Sequence, residues 1–158
     1  MQVTITINGE PVSRDVEPRE LLIHFIRDTP GLTGTHWGCD TSNCGACVVL
    51  MDGQPVKSCT TLAVMCEGHE IRTVESLEVD GTLDPVQQGF HEMHALQCGF
   101  CTPGFLMLAA GILEREPDIT ADALLDALSA NLCRCTGYRN IVDAVRAAFA
   151  ELRGSRRP

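Results

Sequence analysis

Eight of the nine cysteines in this 158-residue chain fall into two separate tetrads, Cys39-Cys44-Cys47-Cys59 and Cys98-Cys101-Cys133-Cys135. The first runs C-x4-C-x2-C and then, after eleven residues, a fourth cysteine. The second runs C-x2-C, then thirty-one residues, then C-x-C. Four thiolates are what one iron-sulfur cluster takes from a protein, so a fold that serves this chain has to gather each set of sulfurs separately.

The first spacing is that of plant-type two-iron sites, and the four-iron run C-x2-C-x2-C-x3-C-P is absent, which makes two 2Fe-2S centres the economical reading. A chain holding two such centres and little else moves electrons. Disulfides would suit even tetrads in an exported domain, but the opening MQVTITINGE has no basic, apolar or twin-arginine export signal. Structural zinc also uses C-x2-C pairs and accommodates the second tetrad tolerably; it explains a three-cysteine loop with a distant fourth poorly. Cys66 lies outside both groups and reads as a small buried hydrophobe.

A net charge of -9 disfavours nucleic acid and anionic lipid, which need a basic footprint, and no apolar run reaches the about 18 residues of a membrane span. At this length, with one tetrad in each half, two small domains are expected, divided as 1-78 and 79-158. Small domains bury limited apolar area, so each metal centre is expected to supply folding free energy as well as redox chemistry.

The expected fold class is α+β. Val3, Ile5 and Ile7 alternate with polar residues as a half-buried strand, Asn8-Gly9 turns into a partner over 11-16, and 47-51 with 55-58 form a second hairpin about Asp52-Gly53. A helix over 19-28, a short helix over 60-66 and a closing strand over 69-74 complete a β-grasp, ferredoxin-like half. After Asp80-Gly81 the periodicity turns helical. Asp84-Pro85, Thr102-Pro103 and Thr120 open three helices, running to about Ala95, to just before Pro117 and to about Asn131, and a fourth spans 140-152 with Gly154 as its stop, so the second half reads as a four-helix bundle. The basic tail 153-158 reads as a frayed end.

In GCDTSNCGAC every residue between the cysteines is small or turn-forming, and Gly38 and Gly45 permit the close wrapping that a cluster needs. Trp37, just before this loop, is read either as a shield for the cluster or as a core or interface aromatic. Cys98 and Cys101 precede the Thr102-Pro103 helix start, whose positive end suits an anionic centre; Arg134 and Arg139 are candidate counter-charges. His91 and His94 form H-x-x-H, read as surface or interface residues beside two complete thiolate sets.

Through GCDTSNCGAC, QCGFCTPG and NLCRCTGYRNI the chain resembles the small iron-sulfur subunits of the molybdenum hydroxylases, the xanthine oxidase family, from residue 2 to residue 150. Within that family it looks most like the small subunits of the aerobic molybdenum- and copper-containing carbon monoxide dehydrogenases, through EPRELLIHFIRDTPGLTGTHWGCDTSNCGACVV, DGQPVKSCTTLAV and LQCGFCTPG. The resemblance implies a large partner subunit holding molybdopterin, a medium one holding FAD, and a dimer of such heterotrimers. It places the complex in the cytoplasm or on the inner face of the cytoplasmic membrane. It further implies that electrons run from molybdenum through the Cys98/Cys101/Cys133/Cys135 centre to the Cys39/Cys44/Cys47/Cys59 centre and then to FAD. Gln97 would hydrogen-bond the pterin and Cys135 would be the ligand nearest it. The expected reaction is oxidation of carbon monoxide with water; the same relay in an aldehyde, purine or N-heterocycle dehydrogenase is the alternative, and a free two-cluster ferredoxin a more distant one.

Overall fold

The computed structural model describes residues 1-155. Strands β1 (Gln2–Ile7) and β2 (Glu10–Asp15) pair antiparallel across the Asn8-Gly9 turn, with Ile5 opposite Val12. The alternation in β1 does what its period requires: Val3, Ile5 and Ile7 are buried on one face. Helix α1 (Leu22–Asp28) lays Leu22, Phe25 and Ile26 on that face. Strands β3 (Val48–Met51), β4 (Gln54–Lys57) and β5 (Glu70–Arg72) complete a mixed sheet of order β2-β1-β5-β3-β4, in which only β1 and β5 run parallel. This is the β-grasp arrangement.

Helices α2 (Pro85–Glu92), α3 (Thr102–Arg115), α4 (Ala121–Leu128) and α5 (Arg139–Ser155) form the second half. Asp84 caps α2: the Val86 N–H donates to its carboxylate at 2.8 Å and its own N–H donates to Gln87 Oε1 at 3.0 Å. Thr120 caps α4 through the Ala123 N–H. Helix α3 is buried almost all round, from Gly104 to Gly111, because it packs against the other helices on one side and the β3–β4 hairpin on the other. Its apolar neighbours include Val48 and Leu50, so the two halves share a core and the helices cover the sheet face opposite α1. Fully burying each such Leu or Phe contributes about 1.5–3 kcal/mol.

Several boundaries differ from the sequence expectation. Helix α1 starts at Leu22 and not at residue 19, because Leu21 is extended and bridges Leu62, while the Glu20 carbonyl accepts from the Ala63 N–H. The helix expected over 60-66 is a single 3₁₀ turn, Ala63–Cys66. β5 ends at Arg72 because the Thr73 N–H is diverted to Asn8 Oδ1 at 2.8 Å. Helix α2 ends at Glu92, before His94 takes φ +49. α4 stops at Leu128. α5 runs on through Gly154 to Ser155, so that glycine is not a stop, and the rest of the expected frayed tail, 156-158, lies outside the described residues. Among the described residues no helix is long and apolar enough to cross a membrane.

Candidate iron-sulfur sites

The first tetrad is assembled by a loop and a hairpin. β3 leaves directly from Cys47, β4 returns to Ser58, and the buried Ser58 donates both its N–H and its hydroxyl to the Cys47 carbonyl, at 3.2 and 2.7 Å. Cys59 is thereby brought to Cys47, whose thiol it hydrogen-bonds. The preceding loop curls back on itself, the Cys44 N–H pointing at Cys39 Sγ at 3.4 Å. Lys57 Nζ donates to the Ser42 carbonyl and fastens the loop crown to the hairpin.

The second tetrad joins two turns from opposite ends of the helical half. Cys101 is the residue before α3, and Cys133 and Cys135 lie between α4 and α5. Cys98 Sγ and Cys135 Sγ are 3.4 Å apart, and Cys101 hydrogen-bonds Cys133. The CRC turn is braced from downstream: the Cys133 N–H donates to the Tyr138 hydroxyl at 3.0 Å, and the Thr136 hydroxyl donates to Cys133 Sγ at 3.1 Å. Tyr138 sits at φ +68 behind Gly137 at φ +65, the tight turn that lets a residue five positions on reach back to Cys133.

Each tetrad thus resolves into two close pairs, Cys39/Cys44 with Cys47/Cys59 and Cys98/Cys135 with Cys101/Cys133. Two pairs suit two irons with two thiolates each.

The electrostatics divide along the same pairs. The Cys44 and Thr41 backbone N–H groups draw the Cys39 thiol down to about 6, whereas burial raises Cys44. The Phe100 N–H, then the Cys135 thiol, lower Cys98, and the hydrogen bond with Cys98 raises Cys135. Burial works to raise Cys133, but the Thr136 hydroxyl and N–H outweigh it and the net effect is lowering; burial and the Cys133 partner push Cys101 up to about 12. In each of these three pairs one thiol is drawn down and the other held up, and iron binding would displace the protons they carry.

The two tetrads meet. The Leu132 N–H, one residue before Cys133, donates to the Cys44 carbonyl at 2.9 Å. The His36 ring stacks on Phe100 with centroids 4.7 Å apart, and its Nδ1–H donates to the Phe100 carbonyl at 2.7 Å, linking the approach to the first loop with the Cys98–Cys101 turn. One cleft is lined by Cys44 together with Cys98, Cys101, Cys133 and Cys135.

Cys98 and Cys135 are exposed in that cleft beside the exposed Phe100 and Leu132 that also line it, and Leu96 and Gln97, which precede Cys98 in sequence, are exposed as well. Arg134 lines the cleft; Arg139, expected as a second counter-charge, instead pairs with Asp143 at 2.8 Å, one turn further along α5. Trp37 is 45% exposed with its ring edge-on to His24, so it is a surface aromatic and not a core one. His91 and His94 are exposed. Sequence reasoning missed Thr136, Tyr138, Asn131 and His36; the first three stand in the quoted NLCRCTGYRNI motif, but nothing in their spacing says what they touch. Cys66 is fully buried at Met51 and the Leu62 carbonyl, and burial pushes its thiol up to about 11. Cys66→Ser should therefore leave both clusters in place, with unchanged iron content and visible spectrum, at a stability cost of about 1 kcal/mol.

Two modules in tandem, each built around four cysteines, define a two-cluster electron-transfer protein. Residues 5-73 match the family described as 2Fe-2S iron-sulfur cluster binding domain, and residues 73-146 match the 2Fe-2S binding domain. Over 147 residues the chain is 51% identical to the caffeine dehydrogenase subunit gamma of Pseudomonas sp. (strain CBB1), covering 91% of this chain and 88% of that one. It is 52% identical over 150 residues to the 6-hydroxypseudooxynicotine dehydrogenase complex subunit beta of Paenarthrobacter nicotinovorans, covering 94% and 93%. Among solved structures, quinoline 2-oxidoreductase from Pseudomonas putida 86 superposes with a TM-score of 0.90 at 46% identity, over 98% of this chain and 96% of the matched one. The chain belongs to the molybdenum hydroxylases, as one of their small iron-sulfur subunits with two 2Fe-2S clusters.

Proposed function

We propose that this chain relays electrons inside a dehydrogenase that oxidises a nitrogen heterocycle at a molybdopterin centre. The observation that carries the relay is the 2.9 Å hydrogen bond from the Leu132 N–H to the Cys44 carbonyl, which joins a residue next to one tetrad to a member of the other. The two 2Fe-2S clusters, when bound, supply one-electron carriers. Cys39, Cys44, Cys47 and Cys59 would hold the first, and Cys98, Cys101, Cys133 and Cys135 the second, each iron taking one of the close pairs. The chain's own residues fix these thiolates, bring the two loops into contact, and bury Cys47, Cys59 and Cys133 from water.

Cys98 and Cys135 stay exposed beside the exposed Phe100 and Leu132, which favours a partner that covers them. On this reading the large molybdopterin-binding subunit docks there, Gln97 hydrogen-bonds the pterin, Cys135 is the nearest ligand, and electrons leave from the first tetrad toward a medium FAD-binding subunit. The two modules are assigned as 1-78 and 79-158, and the assembly as a cytoplasmic dimer of heterotrimers, free or at the inner face of the membrane.

The substrate class rests on chemistry shared by the relatives: caffeine, 6-hydroxypseudooxynicotine and quinoline are all nitrogen heterocycles. Carbon monoxide is in none of these names. The carbon monoxide reading is kept as the second one because the resemblance noted for it extends beyond the cysteine loops, into LLIHFIRD and DGQPVKSCTTLAV, where ligand demands do not operate. Dye reduction by the purified complex, assayed with purines, pyridines, quinoline, an aldehyde panel and carbon monoxide, decides between them. Turnover confined to the heterocycles is the expected result. Turnover with carbon monoxide alone, and copper beside molybdenum in the large subunit, would overturn it.

A further inference from the structure

Asn131 lies where the two cluster loops touch. It is 1% exposed, and neither its Oδ1 nor its Nδ2 has a hydrogen-bond partner among the described residues. Its carboxamide rests directly on Gly45, the residue after Cys44 in the Cys44-Gly45-Ala46-Cys47 run: a Cβ at position 45 would stand 1.7 Å from Asn131 Oδ1 and 2.2 Å from its Cγ. Gly45 has φ +72, so the loop is glycine-dependent twice over, by conformation and by the space it leaves for this amide. The Leu132 N–H bond to the Cys44 carbonyl anchors the next residue at the same seam. A buried carboxamide unpaired at both ends carries its full desolvation penalty, so it calls for a partner that the polypeptide does not contain.

We propose that Asn131 tunes the first cluster from the second half of the chain, its Nδ2–H donating a hydrogen bond to a sulfur of the cluster held by Cys39, Cys44, Cys47 and Cys59. This rests on the ligand reading above. The donor stands on the helical half, two residues from a cysteine of the other tetrad, yet it addresses the loop of the first. Hydrogen bonds to cluster sulfur stabilise the reduced state and raise the reduction potential. Asn131 thereby links the potential of the electron-exit centre to the docking of the two halves.

The test is a potentiometric EPR titration of the full chain carrying both clusters, as wild type, Asn131→Leu and Asn131→Asp. In Asn131→Leu the first cluster should be harder to reduce, its reduced-to-oxidised ratio at fixed potential falling about tenfold, which is about 59 mV for a one-electron couple. In Asn131→Asp, where a carboxylate replaces the donor, it should fall further. The second cluster should keep its potential in both. Unmoved first-cluster potentials, or a shift confined to the second cluster, would overturn the proposal. Failure of the first cluster to assemble in both variants would overturn it too, because Asn131 would then be a packing wedge and not a tuning donor. If Cys44→Ser leaves the first signal intact, the ligand reading is what has failed.

Discussion

Cys101→Ser should remove one of two reduced-state EPR signals and leave the other, with iron falling from about four to about two per chain. Cys44→Ser should do the converse. The independence follows from construction: the first tetrad is drawn together by the β3–β4 hairpin and its Ser58 bonds, the second by the α3 start and the Thr136 and Tyr138 braces. The two losses should differ in what else they cost. Cys101 is the residue that precedes α3, and α3 is the buried centre of the helical half, so losing its cluster removes folding free energy from the bundle as well. Far-UV circular dichroism on the two variants should show the larger loss of helix cooperativity in Cys101→Ser. Loss of both signals from either change, in a chain that stays folded, would refute two separate centres.

Gly104→Ala should be strongly destabilising even though the position lies in a helix. Alanine in a helix is ordinarily better than glycine by about 1 kcal/mol. At Gly104 the added Cβ would stand 2.2 Å from the Gly45 carbonyl oxygen and 2.9 Å from Ala46 Cα, all backbone, on a helix and a cluster loop that are both rigidly held. Overpacking of this kind costs about 1–3 kcal/mol and more where neither side can yield. The clash therefore outweighs propensity, and relief requires the helix and the first loop to part. Gly154→Ala is the control: it lies in α5 with nothing near its added Cβ, and should be neutral or stabilising by up to about 1 kcal/mol. Denaturant midpoints and the iron-loss rate of the two variants check this, and equal effects would show that the seam is not tight.

The relay is also legible in its weak points. Exposed Phe100 and Leu132 stand beside Cys98 and Cys135, the two exposed cysteines. Such exposed ligands suit a subunit whose partner covers them, in agreement with the relatives, which are named as subunits of dehydrogenase complexes.

Much of this was decided within short stretches of sequence. Alternation of Val3, Ile5 and Ile7, the Asn8-Gly9 turn, the Asp84 and Thr120 caps and the cysteine spacings are local signals, and β1, the hairpins, the four later helices and the two tetrads followed from them, because each depends on residues a few positions apart. What tertiary structure alone decided are the contacts between distant segments: which sulfurs pair, the Leu132–Cys44 bond, the His36–Phe100 stack, and Gly45 in contact with both Asn131 and Gly104 of α3. The shorter strand at Glu70–Arg72 and the late start of α1 belong to the same class, since Asn8 and Leu62 compete for backbone that local propensity would have left in strand or helix. Spacing along the chain determines which residues can form a ligand set; only packing across it determines what stands between two such sets, because side-chain contacts over tens of residues depend on how whole elements dock.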